Sequence, residues 1–264
     1  MKRLPREGDL IPYAPGFPPG DCWLVLAPHP DDEVFGAGAT IALAVRRGVK
    51  VRLAFVTDGG AQGDAARRAG EGRAAAGALG LPEPEFWEFA DRSLAPRDER
   101  LGRAIEAALE RWSPDTVFVT SPIDLHPDHR ALALGLQRAL RRRLMWGWRR
   151  RKPGWVAAYE VATPLHPNLL VAADPAWDAK MRAAACYRSQ LAFRAYDRVA
   201  EALGTLRSLT LDGVTHAEAF RVLSSRRLAR ASAASWVRDV GPLSGDRSSS
   251  ASLLPEGCLL AETK

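Results

Sequence analysis

The chain alternates short apolar runs with longer amphipathic stretches. Residues 23–27, Trp-Leu-Val-Leu-Ala, form a continuous apolar run, as in strands covered on both faces of a parallel sheet. The polar cluster His29-Pro30-Asp31-Asp32-Glu33 follows, and an Ala- and Leu-rich helical stretch covers 34–45. A second strand is expected over 49–56, ending in Thr57-Asp58-Gly59-Gly60, and a helix over 64–79 that Gly80 is placed to end. A strand over 85–89 and a helix over 99–112 continue the alternation. A fourth strand over 116–120 opens into a second polar cluster that closes on His126-Pro127-Asp128-His129, and a helix follows over 130–144.

This spacing predicts right-handed βαβ units. Beyond residue 151 the pattern changes, with strands expected over 155–161, 169–173 and 217–223 and a helix over 177–188. The expected fold class is α/β: a Rossmann-like, mostly parallel sheet flanked by helices, with a smaller mixed C-terminal β/α portion. Residues 1–21 read as an N-terminal extension, 22–223 as one domain, and 224–264 as a Ser-rich tail expected to be mobile.

Both polar clusters follow the C-terminal ends of strands, the first and the fourth, which are neighbours in a Rossmann-type order. Such sheets bind ligands in the crevice between these ends. His29, Asp32 and His129 supply two imidazoles and a carboxylate, a set suited to a catalytic zinc that keeps one position open. Fe²⁺ or Co²⁺ would suit the same donors. Asp31 is then free to act as a general base. His126 paired with Asp128 would stay protonated and stabilise an oxyanion. Without a cation, so many carboxylates in one crevice would repel one another. Glu33 reads either as a partner of a ligand or as an acid at a helix N-terminus. Gly36-Ala37-Gly38 lacks the third glycine of a dinucleotide loop.

At these residues the sequence resembles the PIG-L/LmbE-like deacetylases, zinc hydrolases of N-acetylglucosaminyl conjugates. The resemblance rests on Ala27-Pro28-His29-Pro30-Asp31-Asp32-Glu33 with His126-Pro127-Asp128-His129. Supporting matches are Arg68-x-x-Glu71-x-Arg73, Tyr159-Glu160, Tyr187-Arg188-Ser189-Gln190 and Ala217-Glu218-Ala219-Phe220. It implies zinc on His29, Asp32 and His129, Asp31 as base, His126 at the oxyanion with Asp128 holding it charged, and Arg68 and Asp91 as sugar contacts. Some relatives carry a tyrosine where this chain has Asp124. The implied reaction is deacetylation of an amino-sugar conjugate, with cleavage of a larger sugar or thiol-sugar amide as the alternative.

Composition changes the picture in two places. The net charge of +6 comes from 37 Lys and Arg against 31 Asp and Glu, which suggests an anionic partner until it is localised. Seven of the cations lie between Arg141 and Lys152, interleaved with Trp146 and Trp148, and the rest of the chain is nearly neutral. The patch reads as a solvated loop, or as a surface for an anionic or lipid-linked substrate or a membrane face. A nucleic-acid-binding module using this patch is the rival from another class; nucleic acid is not expected, because the crevice is acidic. Cys22, Cys186 and Cys258 form no C-x-x-C pair, which favours a reducing compartment. No secretory signal or run of ~18 apolar residues is present, so a cytoplasmic location is expected.

Overall fold

A computed structural model describes residues 11–145, 153–241 and 259–260. The alternation expected from sequence is present: β2 (Cys22–Ala27), α1 (Asp32–Arg46), β3 (Lys50–Thr57), α2 (Ala65–Ala78), β4 (Glu85–Phe89), α3 (Glu99–Trp112), β5 (Thr116–Thr120) and α4 (Pro127–Met145). The strands run parallel in the order β4-β3-β2-β5 and continue into β6 (Trp155–Tyr159), also parallel to β5. β2 and β5 are therefore neighbours, and both polar clusters open at the same edge of the sheet.

The C-terminal strands form the expected mixed portion as a continuation of this sheet. β8 (Ala217–Ser224) lies antiparallel between β6 and β7 (Leu169–Ala172), and β1 (Ala14–Phe17) pairs parallel with β7. The two residues of β9 (Leu259–Leu260) add an antiparallel edge to β1. Residues 14–17, expected in an extension, are thus part of the sheet; Gly16 and Pro15 weaken the strand pattern there.

Alternation along β2 explains how one apolar run builds two cores. Trp23, Val25 and Ala27 face the cluster formed with α1 and α5 (Asp174–Ala184), whereas Leu24 and Leu26 face the cluster formed with α3 and α4. Helix α1 approaches the sheet closely through Gly36. A Cβ there would lie 2.3 Å from the Tyr159 ring, and the Tyr159 hydroxyl donates to the Leu26 carbonyl at 3.0 Å.

The expectation of an unpatterned tail is corrected for residues 225–240. They form α8 (Ser225–Arg230) and α9 (Ala233–Val240), each capped by a serine, Ser224 and Ser232. Trp236 and Val240 are buried in the second core. The signal was a short amphipathic stretch hidden among Ala and Ser, with caps rather than hydrophobic mass setting its ends. Two more helices had no expected counterpart, α6 (Arg188–Phe193) and α7 (Tyr196–Ser208). Residues 242–258 and 261–264 of the expected tail lie outside the described residues, as do residues 1–10. Among the described residues no helix is long and apolar enough to cross a membrane.

Trp236 supplies the test of this docking. Trp236→Ala should cost about 3–5 kcal/mol of unfolding free energy in denaturant titration; a change within ~0.5 kcal/mol, the usual range for a surface site, would show that α9 does not stabilise the domain.

Candidate metal centre and active site

Two corners build the site. After β2 the chain turns at Pro28, whose carbonyl accepts from the Thr57 amide at 2.9 Å and the Thr57 hydroxyl at 2.8 Å. After β5 the Thr120 hydroxyl donates to the His129 carbonyl at 3.1 Å, holding the first turn of α4 against the strand end. These tethers bring together residues a hundred positions apart.

His29 Nδ1 and His129 Nε2 each lie 3.2 Å from Asp32 Oδ2, and 3.3 Å from each other. Donors bonded tetrahedrally to zinc at ~2.0–2.1 Å would stand roughly 3.3–3.4 Å apart. The three atoms therefore match the face of a metal site, and the residues fit the group their chemistry implies. Two wider groupings could also hold an ion: His29, His126 and His129, and His29, Asp91, His126 and Asp128.

The outer nitrogen of each imidazole is held by carboxylate. His129 Nδ1 is 3.1 Å from Asp124 Oδ1. His29 Nε2 is 3.0 Å from Asp91 Oδ1 and 3.3 Å from Asp128 Oδ2. Such contacts fix tautomer and ring orientation and raise ligand basicity. Asp124 lies two residues ahead of His126, outside the motif spacing, so its bond to His129 has no signal in the sequence.

Burial disfavours charge on both imidazoles, yet the carboxylates win. His129 is raised to about 9 by Asp32 and Asp124, and His29 is raised by Asp128, Asp32 and Asp91. Asp32, although buried, is held well below the ordinary carboxylate range by His129 and His29. Asp91 is likewise lowered to about 2, its burial outweighed by the hydrogen bond to His29.

Asp31 behaves in the opposite way. Burial and the adjacent Asp32 charge raise it to about 7, against the pull of Arg68. Its backbone sits at φ 139°, ψ −29°, a region that a residue with a Cβ adopts only under constraint. Several bonds provide that constraint. The Asp31 amide donates to Glu33 Oε2 at 3.1 Å, and Asp31 O accepts from the amides of Val34 and Phe35. Arg68 donates to Asp31 Oδ2 at 3.1 Å and to the Pro30 and Gly59 carbonyls. Glu33 is fully buried and accepts the Tyr187 hydroxyl. Burial pushes it up to about 8, against that hydrogen bond. Of its two expected roles, it fills that of an acid at a helix N-terminus, in the first turn of α1, and its partner there is Asp31 and not a ligand.

The expected His126–Asp128 pair does not form. Asp128 turns instead to His29 and to the amides of Arg92 at 2.7 Å and Leu94 at 3.1 Å. His126 Nδ1 accepts from the Asp128 backbone amide at 3.2 Å, which leaves Nε2 to carry the proton. Burial and the His29 and His129 charges lower the His126 pKa. The shift favours the neutral imidazole, which donates from Nε2. The loop after β4 offers Asp128 two amides, a partnership that motif spacing does not reveal.

One cavity is lined by His29, Asp31, Asp32, His126 and His129, with Phe35, Val161, Ala162 and Tyr196 as its apolar wall. Arg68, Asp91, Arg92 and Gln190 also line it. Arg68 is buried and its Nη1 and Nη2 donate to protein groups, so it has a structural role at the site before any sugar contact. In the basic segment, residues 146–152 lie outside the described residues. Arg141, Arg142 and Arg143 bond the Ala229 carbonyl, Glu99 and the Glu106 carbonyl, respectively; three of the seven charges serve helix packing.

A cluster of imidazoles and carboxylates able to hold a metal, set at the C-terminal ends of adjacent parallel strands, defines a Rossmann-like α/β protein with a candidate metal centre. Residues 24–140 match the family model described as PIG-L, GlcNAc-PI de-N-acetylase, so this part of the chain is similar to that family. It is 33% identical over 137 residues to the probable N-acetyl-α-D-glucosaminyl L-malate deacetylase 2 of Bacillus cereus, covering 45% of this chain and 60% of that one. It is 30% identical over 119 residues to diacetylchitobiose deacetylase of Thermococcus kodakarensis, covering 40% and 44%. The matches span less than two thirds of either relative. The structure of a conserved protein, TT1542, from Thermus thermophilus superposes with a TM-score of 0.68 at 28% identity, covering 76% of this chain and 93% of that one.

The titration of His129 gives a signed test. Its folded pKa of about 9 exceeds the ordinary 6.5, so in metal-free protein its contribution to stability is full below pH 6.5 and is lost as pH rises through 9. A metal must displace that proton, so affinity should rise with pH over the same window. Melting of metal-free and Zn²⁺-loaded protein from pH 6 to 9.5 should show a gap in Tm that widens with pH. A constant or narrowing gap would contradict the assignment.

Proposed function

We propose that this protein is a metal-dependent hydrolase that removes the acetyl group from an N-acetylglucosaminyl conjugate. The observation that carries the reading is the strained corner at Asp31. It sets a carboxylate with a pKa of about 7 beside, but outside, the His29–Asp32–His129 trio. The substrate class is supported by the family match and by the activities that the relatives' names state.

His29, Asp32 and His129 would hold the ion, with Zn²⁺ as the leading candidate. When bound, it supplies Lewis acidity to a water and to the amide carbonyl. Asp31 takes a proton from the attacking water, a role suited to a pKa near the working pH. His126 donates from Nε2 to the oxygen as it gains charge, and a neutral donor suffices for that role. The protonated Asp31 then delivers its proton to the departing nitrogen, so water and amide become acetate and a free amine. Arg68 and the Glu33–Tyr187 pair hold Asp31 in place. Phe35, Val161, Ala162 and Tyr196 form a wall that excludes bulk water around the acyl methyl.

Metal analysis with an acetate-release screen across N-acetylglucosaminyl conjugates tests the reading. Asp31→Asn should keep stoichiometric metal and lose about 10²–10⁴ in turnover, whereas His129→Ala should lose the metal itself. Near-normal activity in Asp31→Asn would remove Asp31 as base. Release of a bulkier acid in place of acetate would identify a larger amide as substrate.

A further inference from the structure

The cavity is crowded with carboxylates, and among the described residues two guanidiniums line it, those of Arg68 and Arg92. Arg68 is committed to Asp31 and to the carbonyls of Pro30 and Gly59. Arg92 is different. Its side chain is exposed at the cavity, and its backbone amide donates to Asp128 Oδ2 at 2.7 Å.

The backbone here is also unusual. Arg92 sits at φ 61°, a left-handed conformation that a Cβ disfavours and that a loop would ordinarily assign to Gly or Asn. The neighbours hold it there. The Asp91 amide donates to Asp58 Oδ1 at 3.1 Å, and Asp91 Oδ2 accepts from the Ala61 amide at 3.2 Å. On the other side, the Leu94 amide donates to Asp128 Oδ1 at 3.1 Å, and the Leu94 side chain is buried. The loop is pinned on both sides of one arginine, and the guanidinium alone is left over.

An anionic group entering this cavity would meet Asp31, Asp32 and Asp91, which repel it. An arginine on a pinned loop is a suitable counter-charge, because guanidinium binds phosphate or carboxylate through paired donors and loses little freedom in doing so. We propose that Arg92 is a specificity-determining residue that recognises an anionic group, phosphate or carboxylate, on the aglycone of the amino-sugar substrate. The inference rests on the amide-hydrolysis reading of the same site.

The experiment uses deacetylated sugars, which cannot turn over. Calorimetry on the metal-loaded protein compares glucosamine 1-phosphate, glucosaminyl malate and uncharged methyl glucosaminide. Arg92→Gly removes the guanidinium at a backbone angle that glycine accepts freely, so the fold is kept; Arg92→Glu reverses the charge. The anionic preference, the ratio of affinities for a charged and the uncharged probe, should fall about tenfold or more in Arg92→Gly. It should fall further in Arg92→Glu and be partly retained in Arg92→Lys. The phosphate and malate arms show which anion is read, and a fall in either supports the proposal. An unchanged ratio in both arms overturns it. A wild type that shows the Arg92-dependent preference but releases no acetate from any acetylated conjugate would overturn the reaction and leave the anion site standing.

Discussion

The backbone of Asp31 is the constraint on which the site depends. Helix α1 begins one residue later, and β2 ends four residues earlier, so a relaxed turn here would aim Asp31 and Asp32 elsewhere. A non-glycine residue in a sparsely populated region costs of order 1–3 kcal/mol. The compensation comes from three separate elements: Glu33 on α1, Arg68 on α2, and Tyr187 just ahead of α6 acting through Glu33. The strain gives two adjacent carboxylates different environments. Asp32 is turned toward two imidazoles and stays ionised, while Asp31 is turned toward one guanidinium and rises to about 7. Adjacent acids with separated pKa values can divide the work of ligand and base.

The same division runs through the other carboxylates. Asp124 and Asp91 each steady one imidazole, and Asp128 joins His29 to the loop that carries Arg92. Asp128 thereby ties the candidate ligand to the candidate specificity loop, so its loss would disturb both together. His126 is freed from the charge that a carboxylate partner would impose. An imidazolium beside a dication would be repelled; a neutral donor would not.

The neighbouring of β2 and β5, the pairing of the two motifs and the identity of the close trio were legible in the sequence, because each follows from local patterns: apolar runs, strand ends and donor chemistry. The partner network was not. Whether Asp128 faces His126 or His29 depends on where the loop after β4 places the Arg92 and Leu94 amides, a tertiary fact. Tyr187 and Arg68 were visible as motif residues, but their bonds to Glu33 and Asp31 cross between elements. Helices α6 to α9 escaped for another reason. They are short, and their ends are set by caps and by one or two anchors such as Trp236, too little periodicity to stand out.

Helix α1 has to be fixed along its length for the corner to keep its aim, and a buried ion pair does this. Lys180 Nζ lies 2.8 Å from Glu218 Oε1, with both side chains almost wholly buried. Lys180 also donates to the Phe35 carbonyl at 2.9 Å, and Glu218 accepts from the Ala39 and Thr40 amides at 3.0 and 2.7 Å. Phe35 and Ala39 are i and i+4 partners, so the pair engages the middle of α1 through its own backbone groups. Breaking such a pair by removing one partner costs about 3–5 kcal/mol, whereas an apolar replacement of both can be neutral. Stability alone therefore gives little reason to keep two charges here. What an apolar pair could not supply is registration, since apolar side chains slide where hydrogen bonds to named backbone atoms do not. With Gly36 seated against Tyr159 on one side and this pair on the other, α1 is fixed in rotation and translation. The strain at Asp31, the residue before it, can then be held in one geometry.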